Sequence, residues 1–494
     1  MISIHLRASR FMQRKFVTNL ALVLTLNLLI KPFWILGIDV AVQNAVGTEQ
    51  YGFYYALFNF SFLLNILLDL GITSFNNKNI SQNNQLLSKH FASIVLLRLL
   101  LVVIYAICVL VGGLMVKYNL DMMKMLAAVT CNQILISFIL YLRSNLAGLH
   151  LFKTDSIVSV LDRLIMIGIC GALLYYHNTP GSFQIQWFIY SQTVAYLITA
   201  LITFALVVKK SKVRRLTWRW PFFMLILKKS YPYAVLVLLM TFHNYIGGVM
   251  LERMLPFRVG ALQAGIYAGA NRLLDASNMI PVLFAGLLLP IFARMIKLRQ
   301  NVEEMVGLAF SLLVIPAIVV ATCCYFFSRE IMNLLYKGTN LEEYSRVFKI
   351  LMCCFIPVSA QYIFGTLLTA NGNLKQLNIV ACSAMVLITV MNIILIPRYQ
   401  AFGAAVSIIT TQFLNSLAQI IVVRKVFEFK KNISFIMRLL TFVLYTIIIN
   451  YLVYLFPLFW VYRLVVTALA CFALAFALRL ISVRNLYRIV KYDE

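Results

Sequence analysis

The sequence predicts an all-α integral membrane protein of about fourteen transmembrane helices, and three observations carry that prediction. Of the 494 residues, 62% are hydrophobic and 12% are charged, about half the charged share of a soluble domain. Apolar runs recur from end to end, each near the roughly 20 residues that a helix needs to cross a hydrocarbon core of about 30 Å. The 43 basic residues far outnumber the 16 acidic ones, and they gather in alternate loops, as Lys and Arg do on the cytoplasmic side of a membrane.

The spans fall near 17–38, 52–72, 91–116, 122–142, 156–176, 184–208, 231–252, 262–290, 303–327, 344–370, 375–396, 401–423, 434–455 and 458–481. The first follows Arg7, Arg10, Arg14 and Lys15 and lacks a small-residue cleavage site. It therefore reads as a retained helix, not a removed signal. With the N-terminus inside, Lys78 and Lys89, Arg143 and Lys153, Arg294 to Arg299, Lys375, Arg424 to Lys431 and Arg479 to Lys491 all lie in cytoplasmic segments. The densest cluster runs from Lys209 to Lys229 without one acidic residue. An even helix number with both termini cytoplasmic follows. This distribution accounts for the net charge of +27 and makes a nucleic-acid partner unnecessary. Nine cysteines all fall inside spans without ligand spacing, so they are expected to be buried thiols, neither disulfides nor metal ligands.

The chain also matches itself. Val46-Gly47-Thr48-Glu49-Gln50-Tyr51-Gly52-Phe53-Tyr54, at the start of the second span, aligns with Val259-Gly260-Ala261-Leu262-Gln263-Ala264-Gly265-Ile266-Tyr267 at the start of the eighth. Lys153, Ile157 and Val158 before the fifth span align with Lys375, Ile379 and Val380 at the eleventh. A duplicated six-helix unit explains both matches, and an even helix number relates the copies by an axis along the membrane normal. The expected organisation is an N-lobe over 1–208, a basic cytoplasmic linker over 209–230, a C-lobe over 231–423, and two further helices with a cytoplasmic tail over 424–494.

Gly47, Tyr51 and Gly52, the Leu68-Asp69-Leu70-Gly71 ending of the second span, and Gly265 and Tyr267 leading to Asn271-Arg272-Leu273, followed by Pro281 and Pro290, form an ordered pattern. It resembles the Wzx-type polysaccharide flippases of the multidrug/oligosaccharidyl-lipid/polysaccharide exporter superfamily over essentially the whole chain. The resemblance implies a V-shaped transporter with two six-helix lobes, in a bacterial inner membrane, that moves undecaprenyl-diphosphate-linked oligosaccharide from the cytoplasmic to the outer leaflet. It implies membrane lipids and a polysaccharide polymerase or ligase machinery as partners. In place of the acidic first-helix site of drug-exporting relatives, the first span here carries Lys31.

Ionisable groups at membrane depth are functional candidates because each costs about 2.5 kcal/mol or more to insert. A diphosphate headgroup needs cations, and Lys31, Arg272, Arg98 and Arg163 are the candidates to bind it. Lys31 and Arg272 lie deepest and are given that role. Asp275 shares a helix face with Arg272, and Asp69 and Asp162 are placed to pair with Arg98 and Arg163, so structural ion pairs compete with ligand binding at each cation. His243 is the histidine placed at depth, a candidate for proton coupling or for hydrogen-bonded packing. No cofactor is expected; the energy is expected to come from an H+ or Na+ gradient, the membrane potential or downstream consumption of the glycan. No phosphate-binding G-x-x-x-x-G-K-[ST] loop is present, which excludes a nucleotide-driven pump of that class. The rival readings are a secondary exporter of a small solute, a peptidoglycan-precursor flippase, and a membrane glycosyltransferase using Asp39 or Glu49 of the first outer loop.

Overall fold

Inside a membrane no water is available to the backbone, so a spanning segment satisfies its amides within itself as a helix. The computed structural model describes residues 25–480 except 28, 74–75, 77–79, 81–84, 150, 178–182, 212–219, 338–339 and 430–431. The charged N-terminal segment, residues 212–219 of the basic linker and the C-terminal tail lie outside the described residues, and with them the expectation for the two termini.

Helix α1 is Thr25–Val46. Helix α2 comprises Thr48–Leu63 and, after a break at Leu64 and Asn65, Ile66–Asp69. Then come α3 (Gln85–Met115), α4 (Leu120–Gly148), α5 (Phe152–Tyr176), α6 (Ile185–Ser211), α7 (Trp220–Met254), α8 (Phe257–Lys297) and α9 (Glu303–Phe326). A short helix, Ser328–Leu335, precedes α10 (Leu341–Ala370). The next helical stretch, Leu374–Phe427, has 54 residues and would measure about 80 Å at 1.5 Å per residue, more than two hydrocarbon cores. Gln400 interrupts it with φ 52° and ψ −132°, which divides it into α11 (374–399) and α12 (401–427). Helices α13 (Ile433–Tyr454) and α14 (Trp460–Ala477) complete the described chain. With Leu374–Phe427 counted as one, twelve helices among the described residues are long and apolar enough to cross a membrane. Dividing the longest, and adding the interrupted α2, gives the fourteen spans that the sequence predicts.

Two motif glycines shape the ends of α2. Gly47 has φ 87° and ψ 158°, a conformation that is cheap only without a Cβ, and it turns the chain from α1 into α2. At the other end Leu70 (φ 44°) and Gly71 (φ 79°) are both left-handed. They stop the helix, and the Asp69 carboxylate accepts from the Thr73 amide at 3.1 Å, capping the next turn. Tyr51 Oη donates to Asp39 at 2.9 Å and so ties α2 back to α1.

Packing divides the chain into two compact units, one ending at Val249 and the other beginning at Met250. In the first, α2 and α6 pack on α4, and α5 packs on α6. Most of α7 also belongs to this unit: Tyr245 lies 4.4 Å from Phe62 by ring centroids. In the second, α8 and α9 pack on α10, and the α13–α14 pair packs on α9.

Candidate functional site

The site begins with a local irregularity. Pro32 removes a backbone donor from α1, and directly after it Trp34–Asp39 form a π-helical turn. Such turns widen a helix and re-aim its side chains, often at functional positions. Trp34 is buried against α6, stacked on Phe188 with centroids 5.9 Å apart. Arg163 of α5 lies over the Trp34 ring at 5.6 Å and over Tyr196 of α6 at 5.9 Å. Its Nη1 donates to Tyr196 Oη at 3.3 Å, and its Nε stands 3.6 Å from the Asp162 carboxylate. Lys31 of α1 is within electrostatic reach of this group, of Arg143 first, then Arg163, Asp162 and Asp155. Arg143 is itself held by Asp155 through Nε at 2.8 Å and Nη2 at 3.3 Å.

Of the four predicted cations, Lys31 of α1 and Arg163 of α5 thus share one electrostatic neighbourhood with Arg143 and Asp162. Arg163 keeps 27% of its side chain exposed, and its ion pair with Asp162 is long. A phosphate group, two of whose oxygens a guanidinium binds with parallel N–H···O bonds, would compete with that carboxylate. The aromatic rings beneath supply a further attraction for the cation.

The other two cations sit differently. Arg98 is 3% exposed. Its Nη2 pairs with Asp69 and lies 3.2 Å from Thr73 Oγ1, its Nη1 donates to the Ser137 carbonyl at 2.7 Å, and its plane rests 4.8 Å from the Tyr141 ring. This guanidinium fastens α2, α3 and α4 together. Arg272 on α8 is also 3% exposed. It donates to Tyr336 Oη at 3.4 Å, and that hydroxyl donates to the Gly269 carbonyl at 3.1 Å from a ring stacked on Tyr344. These contacts of Arg272 all lie within the second unit. Asp275 is exposed and accepts from Asn271 at 2.9 Å. His243 is buried on α7 in the first unit. Gly52, Gly265, Tyr267 and Pro281 are buried, and α8 runs through both Pro281 and Pro290.

With this geometry in place, the comparison with known families is decisive: residues 16–296, more than half of the chain, match the model described as polysaccharide biosynthesis protein. The chain belongs to this family. None of the curated proteins matches it by sequence. Its fold is similar to a structure described as lipid II flippase MurJ in an inward closed conformation, with a TM-score of 0.74 and 12% identity over 95% of this chain and 99% of that one. An inward-facing multidrug resistance MATE family transporter of the MOP superfamily matches with a TM-score of 0.63 and 12% identity, over 83% and 98%. An outward-facing one matches with 0.57 and 13%, over 83% and 95%. These neighbours are transporters or flippases. This member of the polysaccharide biosynthesis family is a multi-pass membrane protein with the same two-unit helical fold.

The aromatic floor of the site, Trp34, Phe188 and Tyr196, was not among the residues singled out from the sequence. Trp34 stands three residues after Lys31, which on a helix is the same face, and that spacing is the signal that points to it. Asp39, the carboxylate a glycosyltransferase reading would use, accepts the Tyr51 hydroxyl inside the α1–α2 pair.

Proposed function

We propose that this protein flips undecaprenyl-diphosphate-linked oligosaccharide from the cytoplasmic to the outer leaflet of a bacterial inner membrane by alternating access, and that Lys31 and Arg163 receive the diphosphate. The observation that carries this reading is the Arg163 guanidinium over the Trp34 and Tyr196 rings at membrane depth, with Lys31 of α1 within electrostatic reach of it. A diphosphate bears about two negative charges, and two fixed cations offset the cost of taking it through hydrocarbon. A cationic drug would meet repulsion at the same place. Membership of the polysaccharide biosynthesis family supports a glycan as the cargo, and the polymerase or ligase that consumes it would act on the outer side. An H+ or Na+ gradient, the membrane potential or consumption of the exported glycan would supply the energy.

Likeness to a lipid II flippase favours one second reading, a peptidoglycan precursor as cargo, since the headgroup chemistry is shared. Both readings are tested with purified protein in liposomes that carry either fluorescent undecaprenyl-diphosphate oligosaccharide or fluorescent lipid II. Faster outer-leaflet appearance of the oligosaccharide lipid, lost in Lys31→Ala/Arg163→Ala, is the expected result. Faster appearance of lipid II alone would replace the cargo, and no movement of either lipid under any gradient would refute a flippase.

A further inference from the structure

The second unit holds polar chemistry that the headgroup site does not use. At about 100° per residue, Gln412, Asn415 and Gln419 fall on one side of α12. Phe413, Leu414, Leu417 and Ile421, which are 55%, 47%, 41% and 55% exposed, fall on the other. That second face is apolar and suited to lipid. On the first face, Gln361 of α10 donates through Nε2 to the Gln412 carbonyl at 2.8 Å and to its Oε1 at 2.6 Å. Asn415 Nδ2 in turn donates to Gln361 Oε1 at 2.8 Å.

Part of this arrangement is a fastening. The first unit has its equivalent, where Asn132 of α4 donates to the Ile189 carbonyl of α6 at 3.1 Å. The remainder goes beyond a fastening. Asn415 Oδ1 and Gln419 Oε1 have no hydrogen-bond partner among the described residues, although Gln419 is only 9% exposed. Gly365 on α10 leaves room for that amide, since a Cβ there would lie 3.3 Å from Gln419 Oε1. Gln361 and Asn415 are half-buried, away from the lipid face.

A buried amide oxygen without a partner is costly in an apolar surrounding, and such groups in membrane proteins face polar partners or line cavities. The two oxygens left over are acceptors that carry no charge. Such acceptors suit hydroxyl donors and do not suit a diphosphate. We propose that Gln361, Asn415 and Gln419 form a binding site for the sugar hydroxyls of the cargo, separate from its headgroup site. The proposal rests on the flippase reading and adds a neutral, glycan-specific contact in the second unit.

The test compares two ligands on protein in nanodiscs: undecaprenyl diphosphate without sugar, and the same lipid carrying an oligosaccharide. In Asn415→Ala/Gln419→Met, binding of the glycan lipid is expected to weaken about tenfold, as the loss of one to two net hydrogen bonds would give, while the sugar-free lipid binds as to wild type. Gln419→Asn, which keeps a shorter amide, recovers part of the loss. Equal weakening for both ligands, or none for either, overturns the proposal. If wild type binds neither lipid, the flippase reading itself fails, and the two failures are thereby distinguished. Thermal unfolding checks the fold. Should the double variant not fold, Gln419→Met alone carries the comparison with the same two overturning outcomes.

Discussion

Arg98 and Arg163 lie in the same unit, each beside an aspartate and an aromatic ring, yet they are built for different ends. Around Arg98 the carboxylate, a backbone carbonyl and a threonine hydroxyl all converge on a side chain 3% exposed. Around Arg163 the aspartate is a sequence neighbour at 3.6 Å, the side chain is 27% exposed, and a second cation stands nearby. A buried charge with its partners supplied by other helices holds a structure together. A charge with a long, local counter-ion and a like charge beside it is held ready for something else. Residue type alone does not separate the two cases; the origin of the counter-ion does.

The largest effect should come from breaking the closed pair. Asp69→Ala leaves the Arg98 cation buried and uncompensated, and removing one partner of a buried pair costs about 3 kcal/mol or more. Thermal unfolding in detergent should show a loss of that size or a failure to accumulate. An unchanged melting temperature would mean that Arg98 is not a fastening. Next, Lys31→Ala/Arg163→Ala should weaken headgroup binding on the order of a hundredfold, from two charge-assisted contacts, and shift unfolding by about 1 kcal/mol or less. Loss of stability comparable to that of Asp69→Ala would erase the contrast. Arg163→Lys keeps the charge but not the bidentate fork, so binding should fall about tenfold. The smallest change is expected for Asp121→Ala, whose pair with Lys124 is 87% and 78% exposed. Such pairs contribute about 1 kcal/mol at most, and unfolding should scarcely move.

Much of the fold was legible in the sequence because membrane spans obey a one-dimensional rule, a long run of apolar residues between charged loops. Gly47 and Gly71 were legible for a local reason too, since each stands where the backbone has positive φ. The site was legible only in part. The sequence identifies Lys31 and Arg163 as costly cations, but their meeting depends on how α1 and α5 pack and on the π-helical turn after Pro32. Arg272 had the depth of a ligand-binding residue, yet its surroundings are made by Tyr336, 64 residues away. Asn415 and Gln419 passed as ordinary polar positions because no period in the sequence tells a satisfied amide from one without a partner.

The central claim is that Lys31 and Arg163 together receive a diphosphate. The most direct measurement is the affinity of sugar-free undecaprenyl diphosphate for wild type, for each single alanine variant and for the double variant, in nanodiscs at two salt concentrations. The account predicts that each single variant loses part of the affinity, that the double variant loses most of it, and that wild type is the most salt-sensitive of the four. Equal affinity across the four proteins, each folded, would contradict it.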